Sequence, residues 1–202
     1  MKPQDIEKRS FEIITAELGE RTFPAGIAEV VKRVIHTTAD FDYADSLAFS
    51  PDVIEKAKAA LAAGATVVTD TNMALSGVSK VTLAKLGGKA VCLMADEQVA
   101  SEAKARGVTR AVVSMEHAAK FEGPLLFAIG NAPTALIRLH ELIEEGIVAP
   151  ALVIGVPVGF VNVVEAKELF IGGDTPYIIA RGRKGGSNVA ASIVNALLYQ
   201  MV

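Results

Sequence analysis

The segment of this chain best equipped to move a proton is Ile35-His36-Thr37-Thr38-Ala39-Asp40-Phe41-Asp42, a histidine followed closely by two hydroxyls and two carboxylates. Upstream, Ile27, Val30, Val31, Val34 and Ile35 recur at the i, i+3, i+4, i+7, i+8 spacing of a buried helical stripe. At about 100° per residue, His36 falls nearly opposite that stripe, on the side of Lys32 and Arg33. A core histidine would sit on the stripe. A cation near a helix C-terminus is favoured by the macrodipole, so an imidazolium suits the position. Position alone leaves two readings open, a proton-transfer group and a solvated surface histidine. His117 and His140 fall inside helical patterns with no polar cluster around them and read as structural.

The elements that must hold His36 are legible in outline. Helical patterns cover Asp5 to Leu18 and Pro24 to Thr37, the first stopped by Gly19 and the second opened by Pro24. Strand and helix then alternate. The expected strands are Ala65–Thr69, Ala90–Met94, Leu125–Ile129, Ala151–Val156 and Tyr177–Ala180. Between them, helices are expected from Asp52 to Gly64, Val81 to Leu86, Asp96 to Gly107, Thr109 to Ala119, Asn131 (as the cap) to Gly146, Val163 to Leu169 and Ser187 to Gln200, with a polar loop over Asp70 to Ser79. This order predicts a three-layer α/β/α architecture, a parallel sheet covered by helices on both faces, in one domain over residues 1–202.

Bulk properties narrow the function classes. Hydrophobic residues make up 51% of the chain and mean hydropathy is +0.38, which points to a covered sheet and to an apolar subunit interface. The uncharged stretch Gly146 to Val164 is long enough to raise a membrane span, but Pro150, Gly155, Pro157 and Gly159 interrupt it as they would a strand and loop. A net charge of −3, no tryptophan and no basic stripe argue against a nucleic-acid ligand. The three histidines stand far apart without partner cysteines, so no metal site is expected. Lone Cys92 lies in an apolar run and reads as packing, and with no apolar signal core near Met1 a cytoplasmic setting is expected.

Ligands on parallel sheets bind beyond the carboxyl ends of the strands. Four loops there are unusual: Thr69 to Gly77, Gly130 to Thr134, Gly155 to Phe160 and Arg181 to Ser187. Three run quickly into a helix N-terminus, where free N–H groups favour anions, and Arg181, Arg183 and Lys184 add mobile positive charge. Any one loop is accounted for by tight turns. Four on one face suggest a large ligand carrying several negative groups. Glu165, after the Gly159 loop, reads equally well as structural or as lining the cleft. No nucleophile elbow, phosphate loop or dinucleotide fingerprint is intact.

These segments together resemble the precorrin-8X methylmutase family of corrinoid biosynthesis. The likeness runs in order through Ser10-Phe11, Val34-Ile35-His36 and its Asp-containing continuation, Thr69-Asp70, Thr109-Arg110, Ile129 to Leu136, Gly155 to Val161, Glu165-Ala166-Lys167 and Arg181-Gly182-Arg183 with Gly185-Gly186-Ser187. It implies a flavodoxin-like fold, a homodimer and a ring-contracted tetrapyrrole (corrinoid) substrate. The implied reaction moves one methyl group from C-11 to C-12 of the macrocycle, giving cobyrinate or hydrogenobyrinate on the way to cobalamin. It needs no cofactor, and any cobalt is carried by the substrate. The family's active-site histidine falls on His36, and Ser10, Arg33, Thr69 and Arg110 match positions carried over as substrate contacts. From the loop reading, Asn131, Gly159, Arg181 and Arg183 join them.

The wording of Ile35 to Asp42 resembles the branch that handles cobalt-containing substrate. Protonation of a ring nitrogen or carbon would ease the electron redistribution of a methyl shift, and histidine is a natural acid for it. Arg33 beside it would disfavour imidazolium and so strengthen that acid. Two rivals use the same face: a corrinoid carrier without turnover, and a flavin- or nucleotide-binding protein, the latter disfavoured by a first βα loop without a phosphate-binding pattern.

Overall fold

The computed structural model describes residues 3–201. Met1, Lys2 and Val202, the outermost positions of the expected domain, lie outside the described residues. One sheet is built from β1 (Leu47–Phe49), β2 (Thr66–Thr69), β3 (Lys89–Cys92), β4 (Leu125–Ile129), β5 (Leu152–Gly155) and β6 (Tyr177–Ala180), in the order β1-β6-β5-β4-β2-β3. Every pairing is parallel except that of β1, which runs antiparallel to β6 at the edge. Counted alone, the parallel strands follow the flavodoxin-like 2-1-3-4-5 order, with the reversal between β2 and β4. β2, β4, β5 and β6 are buried at every position, which is why they read as continuous apolar runs rather than alternating ones.

One face carries α1 (Pro3–Leu18), α2 (Ile27–Thr38), α4 (Val53–Ala62), α6 (Lys80–Lys85) and α11 (Ser187–Tyr199) around the larger core. The other carries α8 (Arg110–Ala118), α9 (Pro133–Glu144) and α10 (Val163–Glu168), with α7 (Glu97–Arg106) packed on α8. α11 is the pivot of the first layer, buried over most of its length because the sheet lies beneath it and α2 packs on it. α2 presents the foreseen stripe: Val30, Val31, Val34 and Ile35 are at most 1% exposed. Each such side chain contributes about 1.5–3 kcal/mol by leaving water. The polar face of α2 is thereby turned outward.

Three elements correct the sequence reading. β1 and the single turn α3 (Tyr43–Ser46) went unforeseen, since three or four residues carry too little period to register. The polar stretch Asp70 to Ser79, expected as loop, contains α5 (Asn72–Gly77), whose N-cap Thr71 accepts the Ala74 N–H at 3.0 Å through its hydroxyl. The uncharged stretch from Gly146 resolves into a turn, β5 and the loop before α10. Among the described residues no helix is long and apolar enough to cross a membrane.

Candidate active site

The end of α2 is sealed by its own side chains. The Thr37 and Thr38 hydroxyls donate back to the carbonyls of Arg33 and Val34, each at 2.9 Å. Ala39 closes the helix in the left-handed region at φ 54°. Asp40 Oδ1 then accepts the Asp42 N–H at 3.0 Å. The two carboxylates that follow His36 are engaged elsewhere, both holding Lys184 Nζ at 2.6 Å. The Lys184 ammonium keeps the Asp40 carboxyl below its ordinary range, and the two carboxylates raise the lysine in turn. Lys184 is thus a clasp across 144 residues of sequence, not the mobile charge expected of it.

With its neighbours so engaged, His36 is left exposed on the outer side of α2. Its ring packs on Phe11 of α1, centroids 5.2 Å apart and planes inclined by 31°. Arg33, one turn earlier, lies 4.7 Å from the Phe11 centroid and 5.1 Å from that of Tyr199, and it pairs with Glu7. Arg33 and His36 line a hollow of about 290 Å³ between α2 and α11, together with Thr37, Asn188, Asn195 and Tyr199. A second hollow of about 310 Å³ shares Arg33 and Tyr199 and reaches Phe11. Asn188 and Tyr199 were missed because α11 reads as a uniformly apolar core helix, with nothing to mark which residues reach its rim.

Ser10, next to Phe11, is half-buried and donates its hydroxyl to the Ile6 carbonyl at 2.9 Å, leaving the oxygen lone pairs for other partners. The expectation for Thr69 is corrected. Its side chain is fully buried, not open at the surface, and its hydroxyl lies within donor range of the Thr71 and Val91 carbonyls at 3.1 and 3.3 Å, so it shapes the turn after β2. Thr71 in turn meets Ser187 hydroxyl to hydroxyl at 2.7 Å, tying that turn to the start of α11.

At the reversal between β2 and β4, the place where a doubly wound sheet usually receives its ligand, the chain supplies its own anion. Asp70, fully buried, accepts the Gly130 N–H at 2.9 Å on one carboxylate oxygen and those of Asn131 and Ala132 at 2.8 and 2.6 Å on the other. Burial pushes this carboxyl above its ordinary range, and the three N–H bonds pull against that shift. The same carboxylate corrects the reading of Asn131 as a helix cap: Ala132 is the N-cap of α9, and Asn131 lies exposed at the surface. Gly130 permits the closeness, since a Cβ there would sit 2.7 Å from the Gly186 carbonyl oxygen. The donors a phosphate would need are occupied, which weighs against a flavin or nucleotide at this point.

The remaining foreseen residues gather along the carboxyl edge. Arg110 opens α8 and is exposed, and the contact between the Thr109 and Thr134 hydroxyls at 3.2 Å sets it beside the Asn131 loop. Gly159 donates its N–H to the Arg183 carbonyl at 3.2 Å, joining the loops after β5 and β6. The Arg183 guanidinium lies 5.4 Å from the ring of Phe160, itself 82% exposed. Arg181 is exposed, its backbone tied to the Ser46 carbonyl at 2.8 Å. Glu165 is exposed in the first turn of α10. His117 pairs with Glu102 at 2.8 Å, and Glu102 also holds Arg106, a polar cluster that the helical pattern did not reveal; His140 packs edge-on to Phe170.

Fold and site define a doubly wound α/β protein with an outward-facing histidine and a carboxyl edge bearing exposed arginines and an exposed aromatic ring. The model of the family described as precorrin-8X methylmutase matches residues 5–200, and the chain belongs to that family, whose members are isomerases of the intramolecular-transferase kind. It is 46% identical to the cobalt-precorrin-8 methylmutase of Salmonella typhimurium (99% of this chain, 96% of that one) and 45% identical to that of Priestia megaterium (98% and 88%). It is 40% identical to the precorrin-8X methylmutase of Pseudomonas aeruginosa (96% and 94%). The crystal structure of precorrin-8x methyl mutase from Thermus thermophilus superposes with a TM-score of 0.90 at 39% identity, over 97% of this chain and 95% of that one.

Proposed function

We propose that this protein moves a methyl group from C-11 to C-12 of cobalt-precorrin-8, or of metal-free precorrin-8X, giving cobyrinate or hydrogenobyrinate. The observation that carries the reading is His36: exposed, packed on Phe11, and lining the hollow between α2 and α11. The step is internally balanced. The C-11–methyl bond breaks as the C-12–methyl bond forms, and the macrocycle keeps all its atoms. His36 lends a proton to the ring while the double bonds shift and takes one back at the end. No cofactor enters this scheme, and cobalt, where present, travels with the substrate. The lone Cys92 suits a cytoplasmic setting.

Purified protein mixed with substrate should give a visible spectrum that progresses through many turnovers. A shift that stops at one equivalent would mean a carrier instead.

A macrocycle with several carboxylate arms needs more room than a hollow of about 290 Å³, since even drug-sized ligands occupy about 300–1,000 Å³. We therefore propose that the site is completed at the boundary of a homodimer. Exposed Ile6 and Ile13 on α1 are apolar surface for a partner to cover. Sedimentation at low micromolar concentration should find a dimer, and a fully active monomer would rule the arrangement out.

The substrate's carboxylates are assigned to the arginine-bearing edge. Replacing Arg181 and Arg183 together with Gln should weaken product binding and flatten its salt dependence with the fold intact. Exposed contacts of this kind contribute about 1 kcal/mol or less each, and more once the ligand shields them from water. Titration with cobyrinic acid at low and high salt reads both effects, and unchanged affinity would make the pair a solvated turn.

A further inference from the structure

The loops after β5 and β6 share a lysine that the reaction scheme does not use. Lys167, on α10, is 0% exposed, an unusual fate for a residue that is almost never fully buried without partners. Its ammonium donates to the carbonyls of Gly182 and Lys184, each at 2.8 Å. Among the described residues no carboxylate shares the bond, and burial pushes the amine down to about 8. Both acceptors belong to the Arg181 to Ser187 loop, while α10 itself grows directly out of the Gly159 loop. Around this anchor the two loops are stitched backbone to backbone: Gly159 N–H to the Arg183 carbonyl at 3.2 Å and Gly186 N–H to the Val156 carbonyl at 2.9 Å. A Cβ on Gly185 would stand only 2.0 Å from the Val156 oxygen, so the loop has almost no slack there. The side chain of Lys184 then reaches Asp40 and Asp42, just past His36.

We propose that Lys167 is a positioning residue: its buried ammonium holds two inward-facing carbonyls of the Arg181 to Ser187 loop, aims Arg181 and Arg183 at the substrate's carboxylates, and through Lys184 fixes that loop to the end of the histidine-bearing helix. A Met side chain would fill much of the same volume as the lysine, so filling space does not require an amine at this position. What only the lysine supplies is a pair of donors. Without them the Gly182 and Lys184 carbonyls must turn outward or recruit water, and either response rotates the backbone that carries both arginines.

This inference rests on the corrinoid reading above, so the test begins with wild type and cobyrinic acid, the reaction product. Absence of binding there would remove that reading rather than the role of Lys167. Given wild-type binding, Lys167→Met should retain the wild-type circular dichroism and lose about tenfold or more in product affinity. The decisive arm repeats the substitution in the Arg181→Gln, Arg183→Gln background. If Lys167 acts by aiming those side chains, the further loss there should be within about twofold, because coupled residues give non-additive effects. A merely structural lysine would weaken both backgrounds equally, and that additive outcome would overturn the proposal, as would unchanged affinity in the single variant. Lys167→Gln, one bond shorter and retaining an amide donor, serves if the Met variant does not fold. Failure of both to fold would make Lys167 a folding residue and likewise reject the positioning role.

Discussion

His36→Ala should turn over its substrate about 10²- to 10⁴-fold more slowly than wild type while still binding the corrinoid, the loss typical of removing a general acid. The selectivity of that loss follows from where the imidazole stands. It lies off the α2 stripe, exposed, with a ring contact to Phe11 and, among the described residues, no hydrogen bond holding the fold together through it. Truncation should change stability by no more than about 0.5 kcal/mol, as for surface sites generally. Binding should survive because the charged contacts assigned to the substrate's arms lie on other elements. Some rearrangement should persist, since a rigid site still presents the ring in a reactive geometry. Single-turnover spectroscopy at matched substrate occupancy separates these effects. The loss should fall on the rate of the chemical step and leave substrate affinity near that of wild type. A variant with wild-type turnover would strike His36 from the mechanism and leave Arg110 or a bound water as the acid.

Reading the sequence succeeded where a period of several turns or a run of β-branched residues made the pattern redundant. The α2 stripe recurs at Val30, Val31, Val34 and Ile35, so the outward direction of His36 could be derived from spacing. The parallel strands announced themselves as uninterrupted apolar runs. What stayed hidden was the use each polar group makes of its hydrogen bonds. Thr69 and the hydroxyls of Thr37 and Thr38 look free in sequence, yet all three donate to backbone carbonyls. Asp40 and Asp42 look like partners for His36 and instead grip a lysine from the other end of the chain. Those pairings depend on which strands are neighbours, and spacing along the chain does not carry that information.

Lys167 is the instructive intermediate case. In Glu165-Ala166-Lys167-Glu168 it resembles a solvated charged turn. Val163, Ala166 and Lys167 nevertheless fall at i, i+3 and i+4, the buried side of α10, so the period did mark it as inward-facing. The charge of its neighbours masked the signal.

In the sequence Asp70 stands only as the first residue of a polar stretch, yet its removal should cause the largest loss of stability among the site residues. Asp70→Ala would leave the Gly130, Asn131 and Ala132 N–H groups without the carboxylate that receives all three. Only the Gly130 N–H among them is fully buried, and a buried donor left unsatisfied costs about 1–3 kcal/mol, while water can reach the other two in part, so the loss should be about 1–3 kcal/mol. Relaxation is restricted, because the Gly130 backbone is pressed against Gly186 and Ser187. Asp70→Asn should recover only part of the loss. Its one oxygen can keep the Asn131 and Ala132 bonds, but its amide nitrogen then faces the Gly130 N–H, donor against donor. Urea unfolding should therefore order the proteins wild type, Asn, Ala by midpoint, with unchanged slope if the unfolded states are alike. An Ala variant within about 0.5 kcal/mol of wild type would show that water serves the three donors equally well. The expected order would instead mean that Asp70 engages the N–H groups ahead of α9 strongly enough that they are not free for an anionic ligand.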